Sequence, residues 1–278
     1  MVTLLTRLCR AYVLARWRRH SRAERLTCAG MPCYAIGLHA CDREALHAIA
    51  DTTLLRAREI VAYHLGLRPP VPSFRVPIVV VGSGVAGVSS RVLDTFSIPW
   101  LRQNRTGGAW FGHLNTIVII PCYVPIARLV VHEYAHALFD AWSNGFRWPF
   151  MISEGFAFLV EHWCSPARVP AQQGTCRIDC PLSFRDLLNL DVESYLAMPV
   201  SWRTLPRWVI TFLGHVPRDG RPLLYSVIRG LWNCNACTPE RAYEWIVRES
   251  RLEPGQLEKE FRRYCSGDDP RPGAGGPS

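Results

Sequence analysis

His132, Glu133 and His136, in the run VVHEYAHALFD, have the types and spacing that metal-assisted hydrolysis needs. Residues four apart on a helix stand one above the other, so both imidazoles can reach one ion. The Glu one step on points into the same space and can take a proton. A catalytic zinc takes three protein ligands and keeps one position for water, so a third ligand is required. The candidate is Glu154, 154 − 136 = 18 residues after the second histidine, in the segment PFMISEGFAFLVEH. Gly155 and Ala157 beside it are small enough to let that helix lie close to the motif helix. Glu161 competes as an acid seven residues on. It faces the same way but lies about 10 Å further along the helix.

Those residues must be carried by elements that the chain signals in order. Cys33 to Ala40 reads as a short strand, and Asp42 as the N-cap of a helix running to about Leu67, ended by Pro69, Pro70 and Pro72. Phe74 to Gly82 and Asn115 to Pro121 are strands rich in β-branched residues, with a third short strand at Gly108 to Gly112. Helical spacing surrounds the motif from Ile126 to Ala141, behind Pro125, and returns from Phe150 to Trp163. Helices are then expected over 183–190, 205–213, 221–232, 239–251 and 254–264. The fold class is therefore α+β: a mixed sheet lobe at about 33–141 that ends in the motif helix, then a helical lobe at about 150–265. Residues 1–30 read as a basic N-terminal extension, 31–265 as the folded domain and 266–278, rich in Gly and Pro, as a disordered tail.

Composition limits the partners. At 278 residues and 49% hydrophobic the chain can bury a full core. Its net charge of +9 rests on arginine, since Lys259 is the one lysine among 32 basic residues. That bias reads as genome composition rather than as a nucleic-acid surface. The first 25 residues hold seven arginines against one carboxylate, Glu24, with apolar runs too short for a signal peptide. No stretch approaches the ~20 apolar residues of a membrane span, so a soluble, cytoplasmic protein is expected, with peripheral membrane contact open to the basic leader. Eleven cysteines, an odd number, argue against a full disulfide framework. Cys176, Cys180, Cys234 and Cys237 have spacings that could hold a second, structural zinc, although isolated thiols explain them more simply.

One competing motif needs weighing. Gly82-Ser83-Gly84-Val85-Ala86-Gly87 is a complete Gly-x-Gly-x-x-Gly after a strand, the order that a dinucleotide site requires. No acidic residue closes a second strand about 20 positions later, and Pro99 interrupts the helix that should follow. A glycine-rich turn is the better reading, and a dinucleotide-binding oxidoreductase the weaker one.

His-Glu-x-x-His followed after 18 residues by Ser-Glu-Gly-x-Ala resembles the gluzincin zinc metallopeptidases, and most closely the peptidase MA-like families. Met151 and Ile152 stand where those families have Trp-Leu. The resemblance implies a thermolysin-like zincin fold and one catalytic zinc held by His132, His136 and Glu154. It implies Glu133 as the general base that activates water against a peptide bond. Such enzymes commonly add a Tyr or His donor for the oxyanion. The corresponding stretch, SWRTLPRWVITFLGH, has no tyrosine, so His215 is the leading substitute, with Tyr195 and Tyr225 behind it. Asp140, one turn beyond His136, could steady a ligand ring. Trp110 and Phe111, on a family-like edge strand, could line a peptide substrate. A pseudopeptidase that keeps the metal for binding is the alternative.

Overall fold

The computed structural model describes residues 24–49, 51–67, 74–82, 107–112, 115–120, 124–142, 148–164, 182–199, 202–232 and 238–266. They form an α+β chain that divides into two compact units, residues 1–59 with 69–142 and residues 60–68 with 143–278.

The first unit is built on a five-stranded mixed sheet. β1 (Glu24–Cys28) and β2 (Met31–Ile36) make a hairpin with Cys28 opposite Met31, which leaves Ala29 and Gly30 as its turn. Both turn residues have positive φ, 48° and 71°, the two-residue form whose twist suits a hairpin. This corrects the expected boundary of a 30-residue extension: residues 24–30 belong to the sheet. Ala-Gly is a weak hairpin signal because alanine seldom takes positive φ. Two helices, α1 (Ala40–His47) and α2 (Asp51–Leu65), replace the single helix expected from Asp42. No Gly or Pro marks the break. Leu46 and Ile49 are both buried there, so packing ends α1 where local propensity would have continued it. The end of α2 follows the rules: Gly66, at φ 73°, donates to Tyr63 O and Leu67 to Ala62 O, the paired bonds of a Schellman stop.

β3 (Ile78–Val81), β4 (Gly108–Phe111) and β5 (Thr116–Ile119) complete the sheet in the order β1-β2-β3-β5-β4. β2, β3 and β5 run parallel, and β1 and β4 pair antiparallel at the edges. Every residue of β3 and β5 is buried, as parallel strands covered on both faces require. Gly82 begins the glycine-rich motif and donates to Ile36 O at 2.8 Å. A Cβ at this position would run into the carbonyl oxygen of Gly37, so close backbone approach accounts for the glycine without a nucleotide. Residues 83–87 of that motif lie outside the described residues. α3 (Ile126–Trp142) packs on β4 and β5.

The second unit is helical: α4 (Phe150–Cys164), α5 (Phe184–Leu188), α6 (Val192–Ala197), α7 (Leu205–His215), α8 (Leu223–Trp232), α9 (Pro239–Ser250) and α10 (Pro254–Ser266). A small hairpin, β6 (Pro217–Arg218) with β7 (Arg221–Pro222), separates α7 from α8. Neither α6 nor this hairpin was expected. Phe184, Phe212 and Phe261 form the core, with centroids 5.0 to 5.6 Å apart. The Glu258 carboxylate accepts from Phe184 N at 2.7 Å and Arg185 N at 3.1 Å, which fixes the start of α5 from 74 residues away. Cys28, Cys33, Cys41, Cys164 and Cys265 form no disulfide among the described residues. Cys176, Cys180, Cys234 and Cys237, the leader to residue 23 and the tail from residue 267 lie outside the described residues. Among the described residues no helix is long and apolar enough to cross a membrane.

His64 ties the last turn of α2 to α4 within this unit. Its ring stacks on Trp163 at 5.5 Å and meets Phe156 edge-on at 5.2 Å, while Nδ1 donates to Ile60 O. Burial holds its pKa below the ordinary histidine value, against the smaller upward effect of the Ile60 carbonyl. The unfolded chain then binds this proton near pH 6.5 while the folded chain does not, so stability is lost as the pH falls below about 6.5. We predict that urea unfolding of the wild type weakens from pH 7 to pH 5 more steeply than that of His64→Phe. The difference cannot exceed about 1.4 kcal/mol per pH unit, the limit for one proton. Parallel pH profiles would refute it.

Candidate metal centre

α3 sets the first two ligands by its pitch alone. His132 and His136 are one turn apart, with ring centroids 5.0 Å apart and planes at 74°. Eleven of the seventeen residues of α3 are buried, His132 and Glu133 among them, so both polar groups sit in an otherwise apolar stretch. Tyr134, next in sequence, is anchored by donating to Phe74 O at 2.8 Å.

Glu154, in the first turns of α4, completes the set. One ligand atom from each of His132, His136 and Glu154 lies within 4.8 Å of the other two, and among the described residues this is the group that could hold a metal ion. Ligand atoms about 2.1 Å from one tetrahedral ion stand roughly 3.4 Å apart. Two imidazoles and a carboxylate suit several first-row divalent ions. Glu161 is buried and takes no place in the group. The part expected of Gly155 changes. A Cβ there would strike Pro206 O and Ile210 Cγ1, so this glycine admits α7 against α4 rather than the motif helix.

Glu133 lies against the edge strand. A Cβ at Gly108 of β4 would stand 2.8 Å from Glu133 Cγ and 2.9 Å from its Oε1, so the missing side chain leaves room for this carboxylate. Further along β4, the Trp110 indole N–H donates to Asp140 Oδ2 at 3.1 Å. Asp140 thereby holds an edge-strand residue 30 positions away, a contact for which the sequence carried no signal. Phe111, half-buried, pairs opposite Thr116 of β5.

The donors considered for an oxyanion are each engaged. His215, at the end of α7, donates from Nδ1 to Thr211 O at 2.7 Å and packs 5.1 Å from the Tyr264 ring. Tyr225 is held by the Tyr63 ring at 5.3 Å and by the Arg229 guanidinium at 4.2 Å. Tyr195 is buried on Phe150 and donates to Arg203 O at 2.7 Å. Its phenol pKa is driven up, first by burial and then by the Glu154 carboxylate, with Arg203 acting against them. The sequence carried no signal for this beyond a tyrosine on an unanticipated helix.

The two glycines beside the group should respond differently to a methyl group. In Gly108→Ala the methyl meets a carboxylate that can swing aside, and stability should change by less than about 1 kcal/mol. In Gly155→Ala it meets a backbone carbonyl that cannot. Overpacking of about 1 to 3 kcal/mol or more should then exceed the roughly 1 kcal/mol of helix propensity gained. Urea unfolding of both variants checks this, and an equal or smaller loss in Gly155→Ala contradicts the packing described. No family model, curated protein or solved structure matches this chain.

Proposed function

We propose that the chain is a zinc-dependent metallopeptidase of gluzincin type with a thermolysin-like arrangement, acting on peptide or protein substrates in the cytoplasm. One observation carries the reading: His132, His136 and Glu154 converge within 4.8 Å, while Glu133, on the same helix, lies buried beside the edge strand.

When bound by those three residues, zinc would polarise water and a substrate carbonyl, bringing water's pKa to about 7. Glu133 takes the proton from the attacking water on its carboxylate and returns it to the leaving amine as the peptide C–N bond breaks. Its burial excludes competing solvent and keeps the carboxylate on the β4 side of the helix. β4 is a sheet edge among the described residues, and an extended peptide laid along it would be aligned by main-chain hydrogen bonds. Trp110 and Phe111 would line that path, with Trp110 steadied by Asp140.

His215 is the proposed oxyanion donor. With Nδ1–H committed to Thr211 O, Nε2 can donate only when the ring is protonated, so His215 assists as an imidazolium. Tyr195 would have to release Arg203 O to serve instead. These prior commitments are also what favours the second reading, a metal-holding binding protein with little turnover.

Two variants separate the possibilities. Glu133→Gln should retain stoichiometric zinc and lose peptidase activity by about 10²- to 10⁴-fold, as expected for a lost general base. Glu154→Gln should lose zinc. Metal analysis and hydrolysis of a peptide mixture measure both. Unchanged activity in Glu133→Gln, or stoichiometric zinc and full activity in Glu154→Gln, would overturn the assignment.

A further inference from the structure

The helical unit carries a second cluster that the metal group does not use, built around Tyr225 of α8. The guanidinium carbon of Arg229 lies 4.2 Å from the centre of its ring and that of Arg221 lies 5.6 Å from it, so both charges gather on one side chain. Tyr63, near the end of α2, brings a second ring, with its centroid 5.3 Å from that of Tyr225. At 63% it is the most exposed large hydrophobic side chain among the described residues. Arg229 is held rather than left to sweep through solvent. A side chain at Gly66 would collide with its guanidinium, which therefore lies against the glycine turn that ends α2. Its Nε is shut off from solvent and has no hydrogen-bond partner among the described residues.

No carboxylate answers these two arginines. Residues 60–67 and 221–232, which carry the cluster, contain no Asp or Glu, and neither Arg221 nor Arg229 forms an ion pair among the described residues. Arg218, opposite Arg221 in the β6–β7 hairpin, shows the contrast. It meets Asp219 at 3.4 Å and Glu249 at 3.0 Å, and Arg251 meets Asp219 at 3.2 Å. The negative end of α2 accounts for Arg229 in part, but not for Arg221 or for a ring left in water. Guanidiniums stacked on a ring keep N–H edges free for an anion. The exposed Tyr63 ring beside them offers area to an apolar or aromatic group.

The patch is short. Glu59, one turn before Tyr63 on α2, and Asp219, two residues before Arg221, bound it with negative charge. A long polyanion such as a nucleic-acid strand would run into both, whereas a short acidic motif would not. We propose that Tyr63, Tyr225, Arg221 and Arg229 form a docking surface for an acidic peptide segment that carries an aromatic residue beside its carboxylates. The surface does not depend on turnover at the metal group.

Fluorescence anisotropy of a labelled peptide of Asp, Glu and Phe tests this, titrated with the full chain carrying Glu133→Gln so that no peptide is cleaved. Binding should be saturable, should weaken with added salt, and should be about tenfold tighter than for the same peptide with Asn and Gln in place of its acids. Arg221→Gln and Tyr63→Ser alter exposed side chains with no hydrogen bonds among the described residues, so both should fold. Each should weaken binding about five- to tenfold. Arg248→Gln removes an exposed charge that lies over Trp245 instead, and should bind as its parent does. Parent-like binding by Arg221→Gln, an equal loss in Arg248→Gln, or equal affinity for the neutral peptide would overturn the proposal. So would tighter binding of an oligothymidylate than of the acidic peptide, which would make the surface one for nucleic acid.

Discussion

A helix that buries a histidine and a glutamate side by side governs the rest of this structure. α3 is apolar along most of its length, and its burial on β4 and β5 supplies the free energy that carries His132 and Glu133 out of water. Buried groups of that kind persist only where something answers their polarity. The one-turn spacing sets the two histidine rings side by side, with centroids 5.0 Å apart. The absent side chain of Gly108 answers it for Glu133 by giving its carboxylate a defined place beside the edge strand. Three parallel strands, β2, β3 and β5, make a platform buried on both faces, and β4 is left at the margin next to the motif helix.

Close backbone approach recurs as the device that builds this geometry. Gly82 lets β3 run against the end of β2, and Gly155 seats α7 against α4, the helix that carries Glu154. In each case a methyl group would meet backbone, which has nowhere to go. These glycines also bear on how motifs should be read. Gly82 opens a pattern associated with dinucleotides, and Gly155 sits in the segment that resembles a gluzincin second motif. The contact each makes is a packing contact. The chemistry of the second motif rests on Glu154, its neighbour.

Much of this was legible in the sequence wherever local and tertiary preferences agree. The β-branched runs became β3 and β5, the motif helix began behind Pro125, and Glu154 rather than Glu161 joined the histidines. The reading of Glu161 turned on helix rise alone, which is reliable because the pitch of a helix does not depend on its surroundings. Where tertiary contacts override local signals, the reading failed. The break between α1 and α2 has no breaker residue and comes from burial of Leu46 and Ile49. The hairpin turn at Ala29 and Gly30 asks an alanine to adopt positive φ, which no propensity scale favours. The bond from Trp110 to Asp140 joins residues 30 apart, so spacing along one helix could not reveal it.

The chain thus presents a group, His132, His136 and Glu154, that could hold a metal ion, with Glu133 on the same helix and with His215, Tyr195 and Tyr225 already engaged. The central claim is that the ion sits on two imidazoles and a carboxylate. X-ray absorption at the zinc edge of the zinc-loaded chain tests it most directly. The account predicts a first shell of nitrogen and oxygen at about 2.0 to 2.2 Å, with the multiple-scattering signature of two imidazoles and no sulfur. A sulfur shell near 2.3 Å, or a single imidazole, would contradict it.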